Sequence, residues 1–345
     1  MMMGMKWNGL KILAITLLFF AAFAAKAQDI HFSQYNAAPL LLNPAFTGVN
    51  GCDYRFAANY RTQWSGIAPF RTIAASYDMA IAKKKYKSKG NYGGVGVSFF
   101  SDKAGDSELS TNQVNLNVSY TIMLNRKGTQ TLTTGLYGGI GNRNINLAKL
   151  TFDSQFGANG YDPNRPTGEN IATNNLWYAD AGAGFLWNYN VNKKSNVYLG
   201  LATFHVTQPN LSFLKDVNEE LFIKVTFHGG AHFKIANQFY LLPSFMVLKQ
   251  GPHSQLNIGS LVRWGKSVTP KDNTSVYFGG YYRMKDAVVF ATRVDFNGLS
   301  LGFSYDVNIS KLTIATRGNG GPELSLLYTG CFSNKKNQTR FCPVL

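Results

Sequence analysis

The chain has 345 residues, 45% of them hydrophobic, with 34 Lys and Arg against 18 Asp and Glu and three cysteines. Three cysteines leave no second pair from which to build a thiolate metal centre. The basic excess alone does not choose among nucleic acid, anionic lipid and an acidic partner, so the placement of the charge has to decide.

Lys6 and Lys11 precede an apolar run over residues 12–25, and Ala25-Lys26-Ala27 puts small residues at the two positions that determine cleavage. This predicts a secretory signal peptide over residues 1–27, cut before Gln28. The run is too short and too early for a membrane-spanning helix. A lipid-anchored product needs a Cys directly after the cut, and the first is Cys52. Removing Lys6, Lys11 and Lys26 from the 34 basic residues leaves 31 against 18 acidic ones, a net charge of +13.

Residues 28–51 are expected as an N-terminal plug or periplasmic segment. Pro39 and Pro44 each remove a backbone donor and restrict the residue before them, so the stretch predicts a pinned irregular segment and not a strand. Phe32, Tyr35, Leu40, Leu41, Leu42 and Phe46 give it too much apolar surface for a free tail, so it has to dock. Asp29, Phe32, Ser33, Gln34, Tyr35, Asn43, Pro44, Phe46 and Gly48 are the candidate plug or partner-binding residues.

From residue 52 the dominant signal is a period of two, with apolar residues alternating against polar or small ones. Val114, Leu116, Val118, Tyr120 and Ile122 alternate with Asn115, Asn117, Ser119 and Thr121. Leu299, Leu301, Phe303, Tyr305 and Val307 alternate with Ser300, Gly302, Ser304 and Asp306. A soluble sandwich alternates too, but three features favour a membrane barrel. The segments are often of order ten residues, enough for a tilted bilayer crossing. Aromatic residues gather toward their ends, among them Tyr54, Trp64, Trp177, Trp187, Tyr189, Trp264 and Phe296. The polar face carries Arg55, Arg61, Asp78, Arg263, Arg283, Arg293, Asp295 and Asp306, which a dry sandwich core accepts only if closely paired and a hydrated or plugged lumen accepts readily.

The fold class is therefore all-β, an antiparallel up-and-down transmembrane barrel of about 14 strands. The expected strands are 52–64, 72–81, 91–101, 108–124, 130–140, 177–189, 196–205, 222–236, 238–248, 254–264, 274–284, 286–296, 298–307 and 322–332. They form one domain over 52–332, followed by a periplasmic tail over 333–345. Counted from a periplasmic N-terminus, the long connections 141–176, 206–221 and 308–321 all fall on the outer face, and most basic turns on the inner one. One of these turns carries Lys83, Lys84, Lys85, Lys87 and Lys89. Such turns read first as solvated segments that block edge pairing, and second as a periplasmic binding face. An exported chain has one disulfide open to it, Cys331 with Cys342 or Cys52 with Cys331, and the spacing does not rank the two.

Other patterns carry little chemistry. Gly298-Leu299-Ser300-Leu301-Gly302 matches a hydrolase nucleophile turn, but Ser300 sits inside a strand pattern and no His follows it. His228 and His232, four apart on a strand, stand ~13 Å from each other, too far for one metal ion unless other strands contribute, and read as lumenal polar residues. The segment 153–170, with Asp162-Pro163-Asn164-Arg165-Pro166 and Glu169, fits no calcium loop and reads as a surface lid or contact loop. No catalytic site, metal site or cofactor is expected. The charged lumen suits a selective pore or a salt-bridged filling, and the docking N-terminal stretch favours filling.

Asp29, Phe32-Ser33-Gln34-Tyr35, Asn43-Pro44-Ala45-Phe46-Thr47-Gly48, Asn59-Tyr60-Arg61-x-Gln63-Trp64 and Ser76-Tyr77-Asp78 together resemble the opening of the PorP/SprF family. Gly279-Gly280-Tyr281-Tyr282-Arg283, Phe303-Ser304-Tyr305-Asp306 and Glu323-Leu324-Ser325-Leu326 continue the resemblance in the family's order. It implies an outer-membrane protein of the type IX secretion and gliding machinery of Bacteroidetes. The implied partners are other secretion components, exported cargo with a C-terminal sorting domain, an OmpA-like peptidoglycan-binding protein and outer-membrane lipid, and not nucleic acid. The competing reading is a porin or small-solute transporter.

Overall fold

Alternating strands can bury one face and leave no open edge by closing on themselves, and fourteen strands among the described residues do so. The computed structural model describes residues 29–64, 69–81, 90–158, 160–192, 195–265, 274–311 and 313–332. The expected signal peptide, the turn with Lys83, Lys84, Lys85, Lys87 and Lys89, and the tail with Cys342 lie outside the described residues. The chain divides into two units, Met1–Ile30 and His31–Leu345, and the barrel is in the second.

The barrel strands are β1 (Tyr54–Gln63), β2 (Phe70–Ile81), β3 (Tyr92–Ala104), β4 (Leu109–Met123), β5 (Gln130–Asn144), β6 (Asn175–Asn192) and β7 (Ser195–Phe204). They continue as β8 (Lys224–Ala236), β9 (Phe239–Gln250), β10 (His253–Gly265), β11 (Thr274–Arg283), β12 (Ala287–Phe296), β13 (Leu299–Asn308) and β14 (Asn319–Gly330). Each pairs antiparallel with its neighbours in sequence, and β1 closes on β14 with Tyr54 opposite Gly330 and Arg61 opposite Glu323. The rim where β1 starts and β14 ends is called proximal here. The connections 145–174, 205–223 and 309–318 all lie at the opposite, distal rim.

The two faces are inverted relative to a water-soluble protein. Leu116 is 69% exposed and Phe290 63%, whereas Asp78 and Asn257 are fully buried. Aromatic residues cluster at the proximal rim, where the Tyr54 ring lies 6.1 Å from Tyr328 and 5.1 Å from Phe332. Cys52 and Cys331, just outside β1 and β14, form a disulfide with their Cα atoms 4.9 Å apart, fastening the seam of the barrel at this rim.

The strands overrun their expected bounds mainly at the distal rim. β3 continues to Ala104, β5 to Asn144, and β6 starts at Asn175. Alternation of polarity fades there because Asn112, Asn142, Asn144 and Asn175 occupy outward positions, so the ladder continues where the hydrophobic signal has stopped. Within the 145–174 connection a two-residue hairpin pairs Phe156–Gly157 with Gly160–Tyr161. That connection meets the 205–223 connection through an Ile171–Leu214 bridge and a 2.9 Å bond from the Ala172 N–H to the Phe213 carbonyl.

Candidate functional site

The lumen is occupied by residues 31–50. Instead of the irregular run expected from its prolines, this segment forms three short helical turns, Tyr35–Ala37, Pro39–Leu42 and Pro44–Phe46. Pro39 and Pro44 stand at first helical positions, where a missing N–H costs nothing, and the Asn43 side chain caps the third turn at the Ala45 N–H, 2.8 Å away. Ser33, Asn43, Ala45, Phe46 and Thr47 have no exposed surface. Asp29 belongs to the Met1–Ile30 unit, whereas Phe32, Ser33, Gln34, Tyr35, Asn43, Pro44, Phe46 and Gly48 lie in the barrel unit.

The start of the segment is held near the distal end of the lumen by ion-paired groups from opposite ends of the sequence. Asp306 on β13 accepts from Arg61 on β1 at 2.9 Å and from Arg283 on β11 at 2.8 Å. The Ser33 hydroxyl donates to the same carboxylate oxygen at 2.8 Å and accepts from Arg283 at 2.9 Å. Glu323 on β14 takes the Ser33 N–H at 2.8 Å and the Gln34 N–H at 2.9 Å, with Arg61 3.8 Å away. Arg61 also donates to the His31 carbonyl. Asp286, in the turn after β11, closes the network against Arg283 at 2.5 Å. Two arginines and two carboxylates buried together are tolerable because each has hydrogen-bonding partners, several of them on the segment.

The other end of the segment lies near the proximal rim. Asp78 on β2 pairs with Arg55 on β1 at 2.9 Å and accepts the Gly48 N–H at 2.8 Å, while Arg55 donates to the Phe46 carbonyl at 3.0 Å. Gly48 has φ +68°, and a side chain there would strike the backbone of Gly94. Inward glycines on the facing strands form the rest of the seat. A Cβ on Gly135 of β5 would collide with the backbone of Pro44 and Ala45, one on Gly94 of β3 with Thr47, and one on Gly184 of β6 with the Asn43 amide. The Asn43 amide donates to the Phe185 carbonyl at 3.0 Å and lies 3.1 Å from the His228 ring.

Between these ends the Tyr35 hydroxyl donates to Ser244 at 2.8 Å, and its ring meets Tyr281 edge-on at 5.7 Å. A cavity of about 40 Å³ remains beside Asn36, bounded by Tyr198, Tyr277 and Tyr281. It has room for little more than one water molecule.

Of the lumenal charges expected from the sequence, Arg55, Arg61, Asp78, Arg283 and Asp306 meet the N-terminal segment or its direct partners. Arg263, Arg293 and Asp295 form a separate cluster on β10 and β12. Asp295 accepts from Arg293 at 2.7 Å and from Tyr277 at 2.7 Å. Arg293 stacks over Tyr277 and Arg263 over Tyr240, each at 4.8 Å. Ser300 accepts from Arg293 at 3.1 Å. Sequence reasoning missed Glu323 as a ligand of the segment, although its inward parity on β14 was available. It also missed a distal group in which Asp180 accepts from Gln113 at 2.9 Å and Tyr137 at 2.8 Å and pairs with His205 at 2.8 Å. Those residues are scattered over four elements, and no local pattern joins them.

A closed antiparallel barrel with an apolar exterior and an ionised interior defines an outer-membrane β-barrel protein. Among solved structures, the Ralstonia pickettii toluene transporter TbuX is similar with a TM-score of 0.52 and 11% identity, over 86% of this chain and 94% of that one. The CymD monoaromatic hydrocarbon channel aligns with a TM-score of 0.47 and 11% identity over 87% of this chain and 94% of that one. The likeness to TbuX is one of fold. No curated protein sequence matches the chain. Residues 24–328 match the family of type IX secretion system membrane proteins PorP/SprF, and the chain belongs to that family.

Proposed function

We propose that the protein is a non-enzymatic scaffold of the type IX secretion machinery, a barrel kept filled by its own N-terminal segment, that supports export or surface anchoring of cargo with a C-terminal sorting domain. The observation that carries the scaffold reading is the set of bonds from Ser33, Gln34 and Gly48 to the lumenal carboxylates Asp306, Glu323 and Asp78, which uses the ionised lumen for holding the segment rather than for solute passage. The proximal rim faces the periplasm in this reading, with the long connections outside, because outer-membrane barrels place short turns inward and long loops outward. The joined 145–174 and 205–223 connections then meet cargo. The basic turns that the sequence predicts on the periplasmic side meet periplasmic components, among them an OmpA-like peptidoglycan-binding protein. Residues 32–48 are buried except for half-buried Gln34, Asn36 and Leu41, so they serve as filling and not as a partner surface.

The test is a detergent pull-down of the tagged protein from outer membranes, with mass spectrometry of what accompanies it. Recovery of a large protein with a C-terminal sorting domain, or of an OmpA-like peptidoglycan binder, supports the reading. Recovery of the barrel alone moves the weight to a porin or small-solute transporter, the reading the transporter-like fold leaves standing.

A further inference from the structure

The outward wall of β2 to β6 changes character over a short distance below the distal rim. One level of the registered strands carries Ala75, Phe99, Val114, Ile140 and Ala179. Two residues higher the row is Ile73, Ser101, Asn112, Asn142 and Trp177, and two higher again it is Arg71, Lys103, Ser110, Asn144 and Asn175. The wall thus passes from wholly apolar to wholly polar within ~13 Å of strand, which marks the edge of the hydrocarbon layer. A cleft of about 700 Å³ opens there, lined by Lys103, Glu108, Ser110, Asn112, Asn144 and the start of the 145–174 connection.

Arg71 and Lys103 stand directly opposite each other on neighbouring strands. Like charges so placed repel unless an anion joins them. The acidic group of the cleft, Glu108, is 2.8 Å from Lys149, and that hydrogen bond, with weaker attraction from Lys103 and Arg71, holds its carboxyl below the usual range, so one carboxylate faces three cations and positive charge remains in excess. Beyond the cations a bond runs along the row from the Ser110 hydroxyl to the Asn144 amide oxygen at 2.8 Å, and one from the Asn142 amide in the level below reaches the amide oxygen of Asn175 at 2.5 Å. Amides offer both donors and acceptors, as vicinal sugar hydroxyls require.

We propose that this cleft binds the phosphorylated saccharide headgroup of an outer-leaflet glycolipid. Arg71 and Lys103 hold a phosphate, Asn112, Asn144 and Asn175 meet sugar hydroxyls, and the acyl chains lie along Val114 and Ile140. The leaflet rests on the orientation proposed above. The headgroup chemistry does not.

The test measures lipid retained by the full chain in detergent, by native mass spectrometry. The probes are a purified bis-phosphorylated lipid A glycolipid, its dephosphorylated form, phosphatidylglycerol and inorganic phosphate. The wild type is expected to retain the phosphorylated glycolipid, and Arg71→Gln with Lys103→Gln to bind it about tenfold more weakly. Dephosphorylation of the probe should give a similar loss, and neither phosphatidylglycerol nor inorganic phosphate should compete. Equal retention by the variant, or competition by phosphatidylglycerol, overturns the site. If the charge variant fails to form a heat-modifiable barrel, Asn112→Ala with Asn144→Ala asks the same question of the saccharide contacts: weaker binding supports the site, and unchanged binding overturns it. Labelling of Asp162→Cys on intact cells with an impermeant thiol reagent tests orientation separately. Labelling supports the outer leaflet, and its absence overturns the leaflet while leaving the solution result intact.

Discussion

The two ends of the lumenal segment are held by different physics. At Ser33 and Gln34 the grip is charge: two carboxylates and two arginines on β1, β11, β13 and β14 converge on a hydroxyl and two backbone N–H groups. At residues 43–48 the grip is mainly shape: glycines on β3, β5 and β6 let the backbone approach where no side chain fits, and a single ion pair, Arg55 with Asp78, pins the exit. A network of buried charges fails when one member is removed. A close-packed seat fails when volume is added. The ends should therefore respond to opposite kinds of substitution.

The largest effect is expected at the charged end. Asp306→Ala leaves the Arg61 and Arg283 guanidiniums without their shared partner and should lower unfolding stability by about 3–5 kcal/mol, measured by urea denaturation in lipid vesicles. A variant as stable as the wild type would mean that water, not pairing, carries those charges. Next, Gly135→Leu should displace Pro44 and Ala45 at a cost of about 1–3 kcal/mol and make residues 31–50 accessible to added protease, while the same change at Gly138, where an added Cβ meets nothing, should do neither. Equal protease sensitivity at both positions would remove the case for a glycine seat. The smallest effect is expected for Asn43→Ala, which deletes the cap on Ala45 and the donor to the Phe185 carbonyl and should cost about 1–2 kcal/mol by the same denaturation assay.

The contrast also explains what was legible in the sequence. The barrel was, because alternation is a local property and fourteen stretches displayed it, from Val114-x-Leu116-x-Val118 to Leu299-x-Leu301-x-Phe303. The charged residues of the lumen were legible by parity alone. Their grouping was not: Arg61 and Asp306 are 245 positions apart, and nothing local divides Arg283, which meets Ser33, from Arg293, which meets Asp295. The glycine seat left a trace, inward glycines at 94, 135 and 184, but Gly139, Gly141 and Gly182 share their lumenal parity and face barrel residues instead, so a missing side chain does not announce what takes its place. The helical turns at Pro39 and Pro44 were masked by the same prolines that start them.

Single-channel recording in planar bilayers separates a filled barrel from an open one. The wild-type protein should insert without steady current, and a variant lacking residues 31–48 with the Cys52–Cys331 seam intact should give stable ohmic steps. A wild-type conductance equal to that of the deletion variant would contradict the view that this segment closes the lumen.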